Sequence, residues 1–338
     1  MRKTPLARQA DSTYVVSSYD AIYRLLGVDV QPGDEHTPKR LREGAVPLKD
    51  LLVSFDRTAA GYARLDLAFN LARASRAHLA GAYVLPETNV SPAGSAAFGL
   101  APPAGMTGLG EEGASPGGMA SGVLREAEAA ESAEQHFKSK LRLQGIDGEW
   151  HLLADGDSAA LIELAKSVDL TIVGQRSPNS EADGASRFRP EDLVMTAGRP
   201  VLIVPYAGTF ETVGKRILFA WDGTREANRA MHDALPLFTD ADATVVFVGS
   251  NERELAQHRP ALDRVIHHLH HHGVAAKPEE TLRGGLAVSD ILLSRAADLA
   301  ADMIVSGGYH HSPLREALLG GVSRELLQHM TVPVLMSH

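Results

Sequence analysis

The sequence predicts an α/β fold: two tandem doubly wound domains, each a mostly parallel five-stranded sheet with helices on both faces. Three observations carry this prediction. Short apolar runs, such as 49–56 and 303–305, read as strands buried on both faces. These runs alternate with amphipathic segments at helical spacing, the order of a parallel sheet covered by helices. The order also occurs twice. Ser54-Phe55-Asp56 answers Ala220-Trp221-Asp222, residues 169–174 answer 302–307, and 198–205 answer 330–336. Asp56 and Gly174 stand 118 positions apart, Asp222 and Gly307 only 85, and the excess of 33 is about the size of one low-complexity stretch in the first half.

In the first half, strand 49–56 ends in an acid. Residues 60–77 place Leu65, Ala68, Phe69, Leu71 and Ala72 at helical spacing, and 78–85 is the second strand. From 88 to 122 the chain is Gly, Ala, Pro, Ser and Met with almost no charge, which reads as a flexible insertion. Helix 124–143 and strand 149–154 follow, then a turn and cap at Asp155-Gly156-Asp157-Ser158. Helix 159–167, strand 169–174, helix 191–197 and strand 199–206 complete the half. The second half reads as strand 215–222, helix 225–238, strand 243–248, helix 254–272, strand 275–281, helix 287–299, strand 302–306, helix 322–329 and strand 331–336. The domains so defined are 48–208 and 214–338, behind a largely disordered leader, 1–45, in which 18–27 is a short helix with a Ser cap and a Gly stop.

Composition removes several classes of function. A net charge of −9 with no basic run excludes a nucleic-acid partner held by bulk electrostatics. The absence of cysteine excludes disulfides, thiol catalysis and Cys-ligated metal. No apolar run approaches the ~18 residues of a membrane span. The N-terminus lacks the apolar core of a signal peptide, so a cytoplasmic protein is expected. There is no Gly-x-Ser-x-Gly elbow and no complete Walker loop, and the histidines lack a visible nucleophile partner, so no enzyme is expected.

The ligand signal lies near the C-terminus. Strand 302–306 runs into Gly307-Gly308, a polar loop containing His310 follows, and Gly320-Gly321 precede a helix. Glycines at a strand end let backbone approach a ligand closely, and unpaired N–H groups at a helix start suit an anion. Such a ligand would lie outside the carboxyl ends of the strands. Gly307 and Gly320 are 13 positions apart.

This stretch resembles the nucleotide signature of the universal stress protein (UspA-like) family: Gly, two residues, Gly, nine residues, Gly, then Ser or Thr. Two positions depart. His310 stands where the second glycine is expected, and Gly321 where the Ser or Thr is, with Ser323 two residues on. The loop Tyr-His-His-Ser-Pro-Leu-Arg-Glu and the Gly-Gly-Val-Ser run look like the tandem, two-domain bacterial type. The resemblance covers roughly 48–338. It implies an adenine-nucleotide α-hydrolase-like fold, a stress-response role, and ATP with Mg²⁺ as ligand. Carried over by motif, Asp222 lies at the adenosine end, flanked by Trp221 and Gly223, and Val248 lies against the base. Gly307, Gly308, His310, Gly320, Gly321, Val322 and Ser323 belong to the phosphate end. The first half keeps the strand acid Asp56 but has no glycine loop after Gly174, so it is read as degenerate. The resemblance also implies that the last strands pair, 201–204 with 332–335, as an intrachain pseudo-dimer. A homodimer of whole chains and unidentified protein partners are the other associations it leaves.

Three readings stay open. The chain is an ATP-binding module, or an interaction protein of the same fold without nucleotide, or a nucleotide-hydrolysing or adenylyl-transferring relative. Gly307-to-Gly320 spacing favours the first, His310 and Gly321 the second, and the lack of a positioned base argues against the third. The run His267-His268-Leu269-His270-His271-His272 sets His267 with His271 and His268 with His272 one turn apart. With no third ligand in view it reads as a polar helix end, favoured by the helix dipole, and no metal is assigned.

Overall fold

A computed structural model describes residues 48–85, 116–153, 158–176, 189–238, 240–308 and 321–338. The first half contains β1 (Asp50–Phe55), α1 (Ala59–Ser75), β2 (His78–Val84), α2 (Pro116–Gln144), β3 (Gly148–Leu153), α3 (Ser158–Ala165), β4 (Leu170–Gly174), α4 (Pro190–Thr196) and β5 (Val201–Val204). The second contains β6 (Arg216–Ala220), α5 (Arg225–Ala234), β7 (Asp242–Gly249), α6 (Glu252–His271), β8 (Ala275–Leu282), α7 (Val288–Asp298), β9 (Met303–Gly307), α8 (Gly321–His329) and β10 (Val334–Ser337).

Helix starts follow the local chemistry. Thr58 accepts a hydrogen bond from the Gly61 N–H at 3.0 Å, and Thr224 accepts one from Ala227 at 3.2 Å. Each satisfies an orphan donor of the first turn. At α6 the Asn251 side chain accepts from the Glu254 N–H while the Glu254 carboxylate accepts from Ser250, a reciprocal box. The strand starts are pinned the same way in both halves. Asp169 accepts from the Lys49 and Asp50 N–H groups, and Asp302 from those of Gly214, Lys215 and Arg216. The repeat read from the sequence is thus a repeat of hydrogen-bonding roles.

The ten strands form one sheet in the order β3-β2-β1-β4-β5-β10-β9-β6-β7-β8. Every pairing within a half is parallel. The halves meet at β5 and β10, antiparallel, with Val334 opposite Ile203, Leu335 opposite Leu202 and Met336 opposite Val201. The last strands do pair, one or two positions further along β10 than expected. Two five-stranded sheets are therefore one continuous sheet. The reason is physical: Val201–Val204 and Val334–Ser337 are buried throughout, and an apolar edge strand with unpaired N–H and C=O groups is costly unless another strand closes it. One core layer lies under α1, α2, α5 and α6, and the other under α3, α4, α7 and α8.

Two departures from the sequence reading stand out. Helix α2 starts at Pro116, eight positions before residue 124, and takes in the end of the expected insertion. Proline suits the first helical position, and a helix already anchored by Ala130, Ala133, Phe137 and Leu141 extends more readily than it nucleates. Strand β6 stops at Ala220, so Asp222 lies two residues beyond it. The leader, most of the insertion and the turn at Asp155-Gly156-Asp157 lie outside the described residues. Among the described residues no helix is long and apolar enough to cross a membrane.

Gln175 clamps the seam. Its buried amide donates to the carbonyls of Leu327 and Gln328 at 2.8 and 3.1 Å, in the last turn of α8, and its oxygen accepts from the Tyr206 N–H at 3.2 Å. Gln175→Ala is expected to cost about 1–3 kcal/mol, because it strands buried groups on both halves. A shift in urea midpoint at unchanged m-value measures this.

Candidate functional site

A cavity of about 280 Å³ opens at the carboxyl ends of β6, β7 and β9, between α7 and α8. In each half the chain turns to opposite sides of its first strand, so β6 and β9 flank a topological switch point, where ligands bind in open α/β sheets. Val246, Val248, Val288 and Leu292 make apolar walls. Thr224, Val288 and Gly321 bring three helix starts to the rim, where the helix dipoles leave partial positive charge.

The turn after β6 is built by Trp221-Asp222-Gly223-Thr224. The Trp221 indole N–H donates to Asn228 Oδ1 at 3.0 Å, fixing the buried ring against the first turns of α5. Asp222 Oδ1 accepts from the Thr224 N–H at 3.0 Å and the Thr224 hydroxyl at 2.6 Å, and the residue stays exposed at the cavity. Gly223 has φ of +79°, which a side chain would strain. It does not line the cavity, so its backbone shape accounts for it.

Of the sequence-derived candidates, Trp221, Asp222, Val248, Gly307, Gly321, Val322 and Ser323 line this one cavity. Gly307 is needed for close packing: a Cβ there would lie 2.5 Å from the Ala227 nitrogen, so α5 rests on the strand end. Gly308 faces elsewhere. Its N–H donates to the Ser337 carbonyl at 2.8 Å, and a Cβ would lie 2.7 Å from Val194 of α4, which makes it a seam residue. At Gly321 no described residue lies within 4 Å of where a Cβ would sit. His310 and Gly320 lie outside the described residues. Thr224, Glu226, Val246, Val288, Leu292, Ser306 and Ala220 also line the cavity, and sequence reasoning missed them. The Asp-x-Thr step shared by Asp56-Arg57-Thr58 and Asp222-Gly223-Thr224 was a usable signal for Thr224.

The two halves differ at this step. In the first, Asp56 and Arg64 are both buried, with Arg64 Nη2 3.7 Å from Asp56 Oδ2 and Arg64 Nε donating to the Ser54 carbonyl at 2.6 Å. Burial pushes the Arg64 pKa down, and Asp56 opposes that shift. The guanidinium fills the space beside β4, since a Cβ on Gly174 would lie 2.2 Å from Arg64 Nη1. Six residues after Thr224, where the first half has Arg64 six after Thr58, the second half has Ala230. Asp56 is therefore spent on an internal ion pair, and no arginine from the matching helix position reaches Asp222.

The cavity also holds a second carboxylate. Glu226 is buried in the first turn of α5, and Arg225 Nη2 lies 2.9 Å from its Oε1. Asp222 and Glu226 are thus the cavity's carboxylates among the described residues, and hard oxygen ligands of the kind that would accompany a nucleotide-bound Mg²⁺. The apolar walls, the open backbone at Gly321 and the helix starts fit a nucleoside with an anionic tail, in a volume at the lower end of small-molecule sites.

Residues 214–338 match the family model described as Universal stress protein family, a homology at the level of this domain. A universal stress protein of Synechocystis sp. is 26% identical over 186 residues, covering 52% of this chain. The chain spans 60% of that relative's length. A universal stress protein from Archaeoglobus fulgidus aligns in structure with a TM-score of 0.61 at 15% identity, covering 85% of this chain and 95% of that one. A protein of unknown function from Pseudomonas aeruginosa aligns with a TM-score of 0.52 at 17% identity, over 86% and 92%. These structural likenesses speak to the fold.

Proposed function

We propose that this chain is a tandem stress-response protein whose second domain, 214–338, binds an adenine nucleotide, ATP with Mg²⁺, while the first, 48–208, serves as its degenerate structural partner. It acts as a binding module and not as a catalyst. The observation that carries this reading is the cavity at the β6/β9 switch point, rimmed by three helix starts, with Asp222 left open where the first half has closed its acid with Arg64. On this reading the base lies between Val248 and Leu292, Asp222 meets the ribose, and the phosphates run toward Gly321 and Ser323. The antiparallel β5–β10 seam makes the two domains a pseudo-dimer within one chain.

Calorimetric titration of the full chain with ATP and Mg²⁺ tests it, with one nucleotide per chain expected. The companion variant is Gly321→Val. Among the described residues nothing lies within 4 Å of a Cβ at Gly321, so they tolerate the change, and a ligand against that backbone does not. Affinity is expected to fall at least ~tenfold, about 1.4 kcal/mol. Unchanged affinity would remove Gly321 from the site.

A second reading is favoured by two observations: His310 and Gly321 depart from the family signature, and the buried Glu226 carboxylate opposes a polyphosphate. The chain is then an interaction protein of the same fold, and millimolar ATP gives no heat.

A further inference from the structure

The sheet ends in two outer strands, β3 and β8, and their outer edges differ. In β8 the Arg283 N–H donates to the Gly249 carbonyl, so odd-numbered residues turn their backbone groups to β7 and even-numbered ones turn theirs outward. Pro278 therefore stands on the outer edge and offers no donor there, and Arg259 and Arg295 hold the neighbouring Glu280 and Glu279. Such an edge is closed to further pairing. β3 carries no such block. Leu79 and Leu85 donate to the carbonyls of Asp147 and Leu153, so the odd-numbered residues bond β2, and Gly148, Trp150 and Leu152 turn their N–H and C=O groups outward. Asp147 Oδ1 takes up the Gly148 N–H at 3.0 Å, and among the described residues no strand lies beyond this edge. Trp150 and Leu152 pack on the core layer of α1 and α2, while Glu149 and His151 share the other face, His151 Nε2 lying 2.9 Å from Glu149 Oε1.

We propose that this edge docks a second copy of the chain, the two β3 strands pairing antiparallel about a twofold axis at Trp150. Backbone direction and side-chain chemistry fix that register independently. A hydrogen-bonded pair needs outward groups on both strands, so even positions face even positions. The symmetric registers with most overlap then centre on Glu149, Trp150 or His151. The first sets Glu149 against its own copy, and the last sets His151 against its own copy. Only the middle one sets Glu149 opposite the partner's His151, twice, in the non-hydrogen-bonded pairs where side chains come closest. An imidazole N–H donates to a carboxylate there in either charge state. The same register lays Trp150 against the partner's Trp150 and brings the Leu152 N–H to the partner's Gly148 carbonyl. The Gly148 N–H exchanges Asp147 for the partner's Leu152 carbonyl. Such an interface is isologous and closes at two copies. The chain joins its own halves by the same device, the antiparallel β5–β10 seam. The proposal is independent of the nucleotide reading.

The test is sedimentation of the full chain, with a dimer expected at about 100 µM. His151→Glu sets carboxylate opposite carboxylate and should weaken the dimer at least ~tenfold, whereas Glu149→His/His151→Glu exchanges the two groups and should restore it. Glu149 is exposed and His151 half-buried, and the backbone groups of both bond β2 whatever their side chains, so these variants keep the fold. Cross-linking reads the register in a chain that has no cysteine of its own. Chains carrying Glu149→Cys, mixed with chains carrying His151→Cys under mild oxidation, should form a disulfide-linked dimer faster than either alone, because directly opposite positions lie within disulfide reach. The proposal is overturned if the full chain is a monomer at about 100 µM, or if His151→Glu dimerises as the wild type does. It is equally overturned if the exchanged pair fails to restore the dimer, or if either cysteine chain cross-links with itself faster than the mixture.

Discussion

Asp56→Ala is expected to lower the stability of the protein by about 3–5 kcal/mol, the cost of leaving a buried charge without its partner. Arg64 is buried beside β4 and has Asp56 as its counter-charge. The substitution also removes the carboxylate that takes the Thr58 N–H and hydroxyl at the start of α1. Denaturant unfolding measures the loss, and a change below about 1 kcal/mol would mean that Arg64 reaches water. The double variant Asp56→Ala/Arg64→Met should recover much of the loss, because an apolar side chain needs no partner there. That recovery separates a buried charge from simple damage to the helix start.

Phe137→Ala is the other large effect, again about 3–5 kcal/mol for a fully buried ring. Phe137 is the point where α2 docks. Its ring centre lies 6.3 Å from Phe55, 5.5 Å from Phe69 and 5.8 Å from Trp150. It packs so closely on β2 that a Cβ on Gly81 would lie 2.6 Å from its Cε2. A loss below about 1 kcal/mol would place α2 outside the folded core.

The sequence made the architecture readable because both faces of the sheet are covered, so the strands are apolar runs and the helices keep a clear period. The repeat was readable because the same acids do the same work twice: Asp169 and Asp302 pin strand starts, and Asp56 and Asp222 cap the turns after β1 and β6. What stayed hidden was tertiary. Arg64 lies on a helix, where an arginine ordinarily reads as solvated, and only the fold turns it inward onto Asp56. Gln175 follows a strand with nothing local to mark it as the clamp on α8. Gly308 looked like part of a ligand loop and is a seam residue, because the neighbouring half brings Val194 against it. The cavity was found through its glycines and Asp222, whereas Val288 and Leu292 of α7 look like any core positions until the helix is placed.

The asymmetry between the halves is the centre of this account, and hydrogen–deuterium exchange of the full chain with and without ATP and Mg²⁺ tests it most directly. Protection is expected at Ala220–Thr224 and at Gly321–Glu325, with none added at Phe55–Thr58, where Arg64 already fills the matching space. Protection at Phe55–Thr58, or no protection anywhere at millimolar nucleotide, would contradict it.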